Sequence, residues 1–595
     1  MIDRSKRKPL LIGGAALLLL LVAVAVALAA RRNRTRWTEE YGAVEESWRP
    51  APTPVRGIAP EVLRGAVEAR LAAARPGGLS EEQWTRVREL YDAYERLPLW
   101  LEQQGPRERA RALVGEIAKA PTHALQLADY PLAELRQALA AVRDSTATPS
   151  AERLAAADIL LSAAYVTLAQ DLLTGQIDPR TGSQDWHIDP RKVDVDSALA
   201  QRLRLEPLDR AIAQLRPQDE DYDALREQLM RYRELVAAGG WQPVPEGRAL
   251  RPGDTDSVPR LRALVGRLRI EGYLDEGDTT LAAPPPKTDS AGVVDTLATA
   301  GLAVYDDRLA GAVAEFQARH GIDVDSILGK GTVASMGVSA AYRLGQIATN
   351  LERFRWLPRT FGERYILVNV PAFRLAAYDS GRVALEMKVI VGAEFEDRRT
   401  PVFSDSMQYV VFRPYWNVTD DIANKELWPK IARDPGYMAR NRLETWRENG
   451  QTRLRQLPGP KNSLGLVKFL FPNDFNIYLH DTPEDELFER DVRAFSHGCI
   501  RLEQPAALAE WVLGRPADRV REAMEAGKDN RSVTLPRKLP VYIVYLTTFT
   551  RDGELHFGND LYDRDSTLVE AVKDGALPPA DTLRLLDELR GLVGS

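Results

Sequence analysis

The chain has one cysteine, Cys499, in 595 residues. No intramolecular disulfide can form, and no zinc or iron–sulfur site built on cysteines can be assembled. Histidine is almost as scarce: His123, His187, His320, His480, His497 and His556 are scattered, with no H-E-x-x-H pair to hold a zinc. An excess of basic charge is missing too, since the formal net charge is -6, and nucleic acid finds no attracting field. The composition therefore points to no metal, no cofactor and no nucleic-acid partner. A lone thiol has two readings that composition alone does not separate: a small buried hydrophobe, or a nucleophile kept for use.

Length sets the next bound. Single cores stop growing at about 250 to 300 residues, so two to four domains are expected. At the N-terminus Arg4, Lys6, Arg7 and Lys8 precede an apolar run over 10–30 that carries no charge. The run is long enough to span roughly 30 Å of hydrocarbon at about 1.5 Å per residue. It exceeds the apolar stretch of a cleavable signal, which favours an uncleaved membrane anchor. Ala27, Leu28 and Ala29 keep the secreted alternative open, and Arg31, Arg32, Arg34 and Arg36 weaken any orientation argument from flanking charge.

Periodicity divides the remainder. Segment 37–60 is a proline-containing linker. Segment 61–245 is rich in Ala, Leu, Arg and Glu, and 151–174 repeats apolar residues at three- and four-residue spacing, so an all-α scaffold is predicted. Its loop around Trp186 and His187 reads as a packed aromatic corner. Segment 246–340 holds amphipathic helices on either side of a low-complexity insert over 275–300 with Pro284, Pro285 and Pro286. Leu309, Val313, Phe316 and Gln317 fall on one helix face that Gly321 ends. A connecting helix follows within 341–363. From 364 to 550 the texture is β, with strands predicted over 365–370, 373–378, 383–391, 409–412, 476–480 and 541–547. A polar, partly helical insertion over 420–473 is long for a loop and is read as a lid. Residues 551–595 form a C-terminal extension.

The chemistry concentrates in NIYLHDT, ending near His480, and FSHGCIRLE around Cys499. Along a strand Asn476, Tyr478 and His480 share one face, so the imidazole emerges on the polar side. A loop returns Cys499 beside it. An imidazole that accepts the thiol proton makes cysteine a nucleophile at neutral pH. Gly498 permits close approach of a substrate, and the amides around Gly498 and Cys499 can form an oxyanion hole. Pro505 and Gly514 bracket a helix that pins this loop to the core.

A histidine, fifteen residues, then S-H-G-C and a nearby arginine resembles the YkuD-type L,D-transpeptidase catalytic domain. The A-V-x-x-F-Q-x-x-H-G core over 312–321 resembles the peptidoglycan-binding type 1 module. Together they are similar to the large Gram-negative L,D-transpeptidases, a multidomain α+β architecture. The resemblance implies attack by Cys499 on a tetrapeptide stem of peptidoglycan, loss of D-alanine, and acyl transfer to an amine, with His480 as base. It implies that the Asp481 backbone carbonyl orients the histidine, that Ser496 and His497 complete the motif, and that Arg501, Trp416 and Tyr478 lie along the substrate. An L,D-carboxypeptidase or a wall-protein-detaching hydrolase would use the same thiol, and a non-catalytic wall-binding scaffold is the third reading.

Overall fold

The computed structural model of the chain describes residues 45–595 apart from 47, 145, 147, 183–184, 189–193, 286, 289–293, 296–300, 396–397, 449, 552 and 595. The expected membrane anchor and much of the low-complexity insert lie outside the described residues.

The N-terminal part is helical. Around Ala151–Thr174 pack Pro60–Ala72, Glu81–Ala93, Glu108–Lys119 and Leu132–Arg143. Ala151–Thr174 is capped by the Ser150 hydroxyl, which accepts from the Arg153 amide, and ends at Gly175 with φ +86°. Among the described residues it is the helix apolar and long enough to cross a membrane, yet 89% of its most apolar window is buried inside this scaffold. One carboxylate organises the scaffold's interior. Asp158 Oδ1 accepts from Tyr91 OH at 2.5 Å and Leu99 N at 2.8 Å, while Oδ2 accepts from Trp100 N at 2.8 Å and Leu101 N at 3.1 Å. Burial raises its pKa, and the Tyr91, Leu99 and Trp100 donors with the Arg107 charge oppose that shift.

A three-helix unit follows, formed by Val258–Glu271, Asp307–Arg319 and Lys330–Met336 around Leu264, Leu268, Leu309, Val313 and Phe316. The polar residues of its motif face inward. Gln317 Nε2 donates to Asp325 Oδ1 and the Ile327 carbonyl, and the His320 ring stacks on Phe316 at 3.8 Å and on Phe557 at 5.3 Å. Phe557 belongs to a hairpin, Thr548–Arg551 with Glu554–Phe557, so the unit docks on the far end of the chain.

The predicted β domain is a nearly closed sheet. In chain order its strands are β1 (Arg364–Asn369), β2 (Arg374–Asp379), β3 (Arg382–Gly392), β4 (Phe403–Phe412), β5 (Val467–Leu470), β6 (Leu479–His480), β7 (Ala494–Ser496), β8 (Ile500–Leu502) and β9 (Arg531–Val544). The spatial order is β2-β1-β9-β4-β5-β6-β8-β3, and β3 pairs again with β2, closing the circuit; β7 adds to β3. Pairing is parallel for β1 with β9, β6 with β8 and β3 with β7.

The strands predicted over 409–412 and 541–547 run instead over Phe403–Phe412 and Arg531–Val544, and two further boundaries differ for identifiable reasons. The predicted strand over 476–480 shrinks to Leu479–His480, because Asn473 turns the chain first: its side chain accepts from the Phe475 and Ile477 amides and donates to the Ile477 carbonyl, leaving Asn476 at φ +55°. The predicted insertion over 420–473 ends earlier, because Val467–Leu470 alternates inward and outward and pairs between β4 and β6. The insertion proper has helical turns over 420–440 and a three-stranded sheet of Trp416–Asn417, Gln451–Gln456 and Leu443–Glu448. It encloses its own cluster of Val418, Ala423, Leu427, Leu443 and Leu454.

The C-terminal extension returns to the scaffold. Helix Ala580–Val593 buries Leu586, Leu589 and Val593 in the same core as Ala151–Thr174. Replacing Asp158 by Ala strands three amides and a phenol in that core. Stability should fall by at least about 3 kcal/mol, given roughly 1 to 3 kcal/mol for each buried group left unpaired. Urea unfolding followed by helical circular dichroism checks it.

Candidate active site

Strand register brings the two motif segments together. In the parallel pair β6–β8, Leu479 lies opposite Ile500 and His480 opposite Arg501, and the Ile500 amide donates to the Tyr478 carbonyl at 3.1 Å. One step earlier Tyr478 is abreast of Cys499. Alternation then puts Tyr478, His480, Cys499 and Arg501 on one face, with His480 and Cys499 as diagonal neighbours roughly 7 to 8 Å apart at the backbone.

The histidine is fixed by its own neighbour. His480 Nδ1 lies 2.5 Å from the Asp481 carbonyl oxygen. A carbonyl only accepts, so Nδ1 carries the proton and Nε2 keeps its lone pair. The Asp481 carboxylate holds this turn by accepting from Leu466 N and Thr482 N, each at 2.7 Å. Burial drives the His480 pKa down to about 3, with the Arg501 and Lys468 charges adding to the fall and the Asp481 contact opposing it.

Cys499 is half-buried, and its Sγ–H is directed at the Asn476 carbonyl, 3.7 Å away. Burial pushes the thiol up to about 11 despite its hydrogen bonds to Tyr478 and the positive charges of Lys468 and Arg501. Burial therefore favours the neutral form of both side chains, against the ionised sulfur expected from the sequence. Burial outweighs the local cations.

The cysteine loop is tied from both sides. Ser496 Oγ donates to the Cys499 carbonyl at 2.5 Å and accepts from the Gly498 amide at 3.0 Å. The Gly498 amide, expected at an oxyanion hole, donates to the Ser496 hydroxyl in this structure. Gly498 sits at φ +106°, and a Cβ there would come within 3.1 Å of Ile477 Cδ1. Its carbonyl accepts from Thr400 Oγ1 at 2.9 Å, and Thr400 Oγ1 accepts from the Gly392 amide at 2.9 Å. Tyr562 completes the support, donating to the Gly392 carbonyl and accepting from the Thr400 amide.

The remaining expected residues have identified partners. His497 Nε2 is 2.7 Å from Glu426 Oε1 in the insertion, and Arg398 donates to the same oxygen at 2.8 Å. Burial would raise the Glu426 pKa, but these contacts outweigh it and hold the carboxylate below its usual range. Arg501 is ion-paired with Glu484. Trp416, expected along the substrate, is half-buried against the insertion's own cluster and pairs with Gln456. The Tyr478 ring is 5.7 Å from His480, and Lys468 Nζ is 5.6 Å from its centroid.

Lys468, Thr400, Tyr562 and Glu426 escaped the sequence reading. Lys468 has a signal in retrospect, a charge on the outward face of a short apolar strand. The other three carry none, since only distant pairing brings them here.

Residues 363–543 match the L,D-transpeptidase catalytic domain of the YkuD type, and residues 85–229 match a scaffold domain. Over 246 residues the chain is 32% identical to a Haemophilus influenzae protein named as a candidate L,D-transpeptidase; this covers 38% of the chain. The match spans about half, 49%, of that relative's length. A crystal structure of an L,D-transpeptidase fragment from Xylanimonas cellulosilytica aligns at 16% identity and TM-score 0.18, covering 51% of this chain and all of that one. The chain thus joins a helical scaffold to a mostly β segment that matches the L,D-transpeptidase catalytic domain of the YkuD family.

Two outcomes are expected at this site. Thiol alkylation by iodoacetamide should rise roughly tenfold per pH unit between about pH 7 and pH 10, because a raised pKa keeps the sulfur protonated at neutrality. A rate plateau near pH 7 would instead reveal a thiolate–imidazolium pair. Thr400→Val, which removes the donor to Gly498 and the acceptor for Gly392, should cost about 1 to 3 kcal/mol in thermal unfolding. It should also lower turnover more than substrate affinity.

Proposed function

We propose that the protein is a cysteine L,D-transpeptidase acting on peptidoglycan stem peptides. The observation that supports it most is the His480 Nδ1 contact to Asp481, which leaves Nε2 as a base on the strand beside the cysteine loop.

In this reading a rotation of the Cys499 side chain away from Asn476 brings sulfur toward His480 Nε2. As the sulfur attacks the acyl carbon of the donor stem, its proton passes to Nε2, and the carbonyl electrons collect on oxygen. The Cys499 amide and the Tyr478 hydroxyl beside the sulfur are the donors for that oxyanion. Collapse breaks the bond to D-alanine, whose nitrogen takes the proton from Nε2, and a thioester remains. An acceptor amine then attacks the thioester, gives its proton to Nε2, and the sulfur leaves and is reprotonated. The neutral resting pair suits this order, because charge separates only when a substrate carbonyl is present to receive the sulfur.

The other parts serve this chemistry. The insertion acts as a lid, held over the cysteine loop through Glu426 and His497. The three-helix unit docks domains rather than binding glycan, since Gln317 and His320 are spent inside it. The apolar run at 10–30 anchors the chain in the inner membrane, with the body in the periplasm.

Purified wild-type protein given tetrapeptide muropeptides should yield crosslinked dimers and free D-alanine. Cys499→Ala should keep its melting temperature and yield neither, read by chromatography and mass spectrometry. Equal dimer from both chains would refute the reading, and tripeptide without dimer would replace transfer by hydrolysis.

A further inference from the structure

Beyond the catalytic pair, one row of residues runs across five strands. Ser532 of β9 lies opposite Val411 of β4, Val411 opposite Lys468 of β5, Lys468 opposite His480 of β6, and His480 opposite Arg501 of β8. Residues directly opposite across paired strands project from the same face. The row therefore lies on the catalytic face, and Lys468 stands one strand, about 4.8 Å, from His480.

On the far side of His480 this face opens into a groove of about 380 Å3 between the sheet and the root of the insertion. Tyr415, Asn417, Arg455, Lys468, Asn530 and Ser532 line it. The two cations are not equivalent. Arg455 is already neutralised by Glu444 and lies over the Tyr415 ring at 4.3 Å. Among the described residues Lys468 has no carboxylate in ion-pairing range, and burial lowers its pKa, an effect that only an ionised Cys499 sulfur would oppose. A largely desolvated ammonium with no counter-ion, on the wall of a polar groove, is costly unless an anion joins it.

We propose that this groove is a subsite for a carboxylate of the bound peptide, with Lys468 as its charge partner and Asn417, Asn530 and Ser532 as neutral hydrogen-bonding neighbours. The proposal rests on acyl transfer at Cys499 and His480, which fixes a peptide as the occupant of the adjoining space. The carboxylate is either the terminal one or one on a side chain, and the chemistry of recognition is the same.

The test uses the full chain carrying Cys499→Ala, so that bound peptide is not consumed. The probes are a short peptide ending in a D-amino acid with one side-chain carboxylate, its C-terminal amide, and its side-chain amide. Calorimetric titration should show that one of the two amides binds about tenfold more weakly than the parent, the scale of a lost hydrogen bond to a charged group. Lys468→Gln in the same background should remove that penalty, and Lys468→Arg should retain it. Which amide is weakened identifies the carboxylate. Ser532→Asp, three strands from His480, should weaken the parent peptide more than the sensitive amide. Melting temperatures confirm that each variant is folded. A tenfold penalty that persists in Lys468→Gln overturns the proposal, as does equal binding of all three peptides. Failure of the transfer reading is separate: it would appear as turnover by Cys499→Ala, whatever the carboxylate comparison gives.

Discussion

The helix Ala340–Trp356 carries charged side chains into the middle of the molecule, and each must find a partner there. Glu352 Oε1 accepts from Gln176 N at 2.7 Å and Ile177 N at 2.8 Å in the scaffold, while Oε2 takes the Arg355 guanidinium. Arg355 also donates to the His123 carbonyl and to Tyr222 OH. Arg353 turns the other way, donating to Asp565 Oδ1 at 2.6 Å and to Thr547 just beyond β9. All three side chains are almost wholly buried. Removing one member of such a pair leaves a charge without solvent, at roughly 3 to 5 kcal/mol, so scaffold, barrel and C-terminal segment hold one arrangement around this helix.

That arrangement reaches the active site. Trp186 of the scaffold packs edge-on against Trp356 at 5.0 Å and forms a β-bridge with Val402. Val402 follows Thr400 by two residues, and Thr400 carries the Gly498 carbonyl. Arg564 closes the same region from the C-terminal side by pairing with Asp185 at 2.6 Å. The scaffold and the final helical segment thus act on the cysteine loop through a short run of buried hydrogen bonds. A nucleophile must be held to within a fraction of an ångström of its productive position, and loops alone do not supply that.

Much of this was legible in the sequence, and what was not has a common cause. The Ala151–Thr174 helix matches its periodicity to the residue, and the helix at Pro505–Leu513 is bracketed as the proline and glycine indicate. The contact of His480 with the Asp481 carbonyl was implied by the family resemblance, and the structure has it. Asn473, by contrast, cuts the predicted strand short through side-chain hydrogen bonds that compete with the ladder, which a period-two pattern does not register. Val467–Leu470 disappeared into the insertion because four residues are too few to establish a period. Barrel closure, the return of Ala580–Val593 to the scaffold, and the Thr400–Tyr562 support are all long-range pairings. Local propensity has no access to them.

The environment of Cys499 works against its own ionisation, and that bears on how a lone thiol persists. Burial raises the sulfur's pKa and lowers that of His480, so both effects disfavour a standing thiolate. The thiolate is the form that oxidants and stray electrophiles attack, so a site that keeps the sulfur protonated also protects it. The same desolvation strengthens every donor aimed at a developing oxyanion once substrate excludes water. Lys468 and Arg501, which favour the thiolate but do not overcome burial, set how far the system stands from ionisation. The loop hydrogen bonds of Ser496 and Thr400 keep that balance from depending on loop motion. In the acyl transfer proposed above, reactivity comes from the substrate carbonyl, which takes up the charge that burial otherwise disfavours.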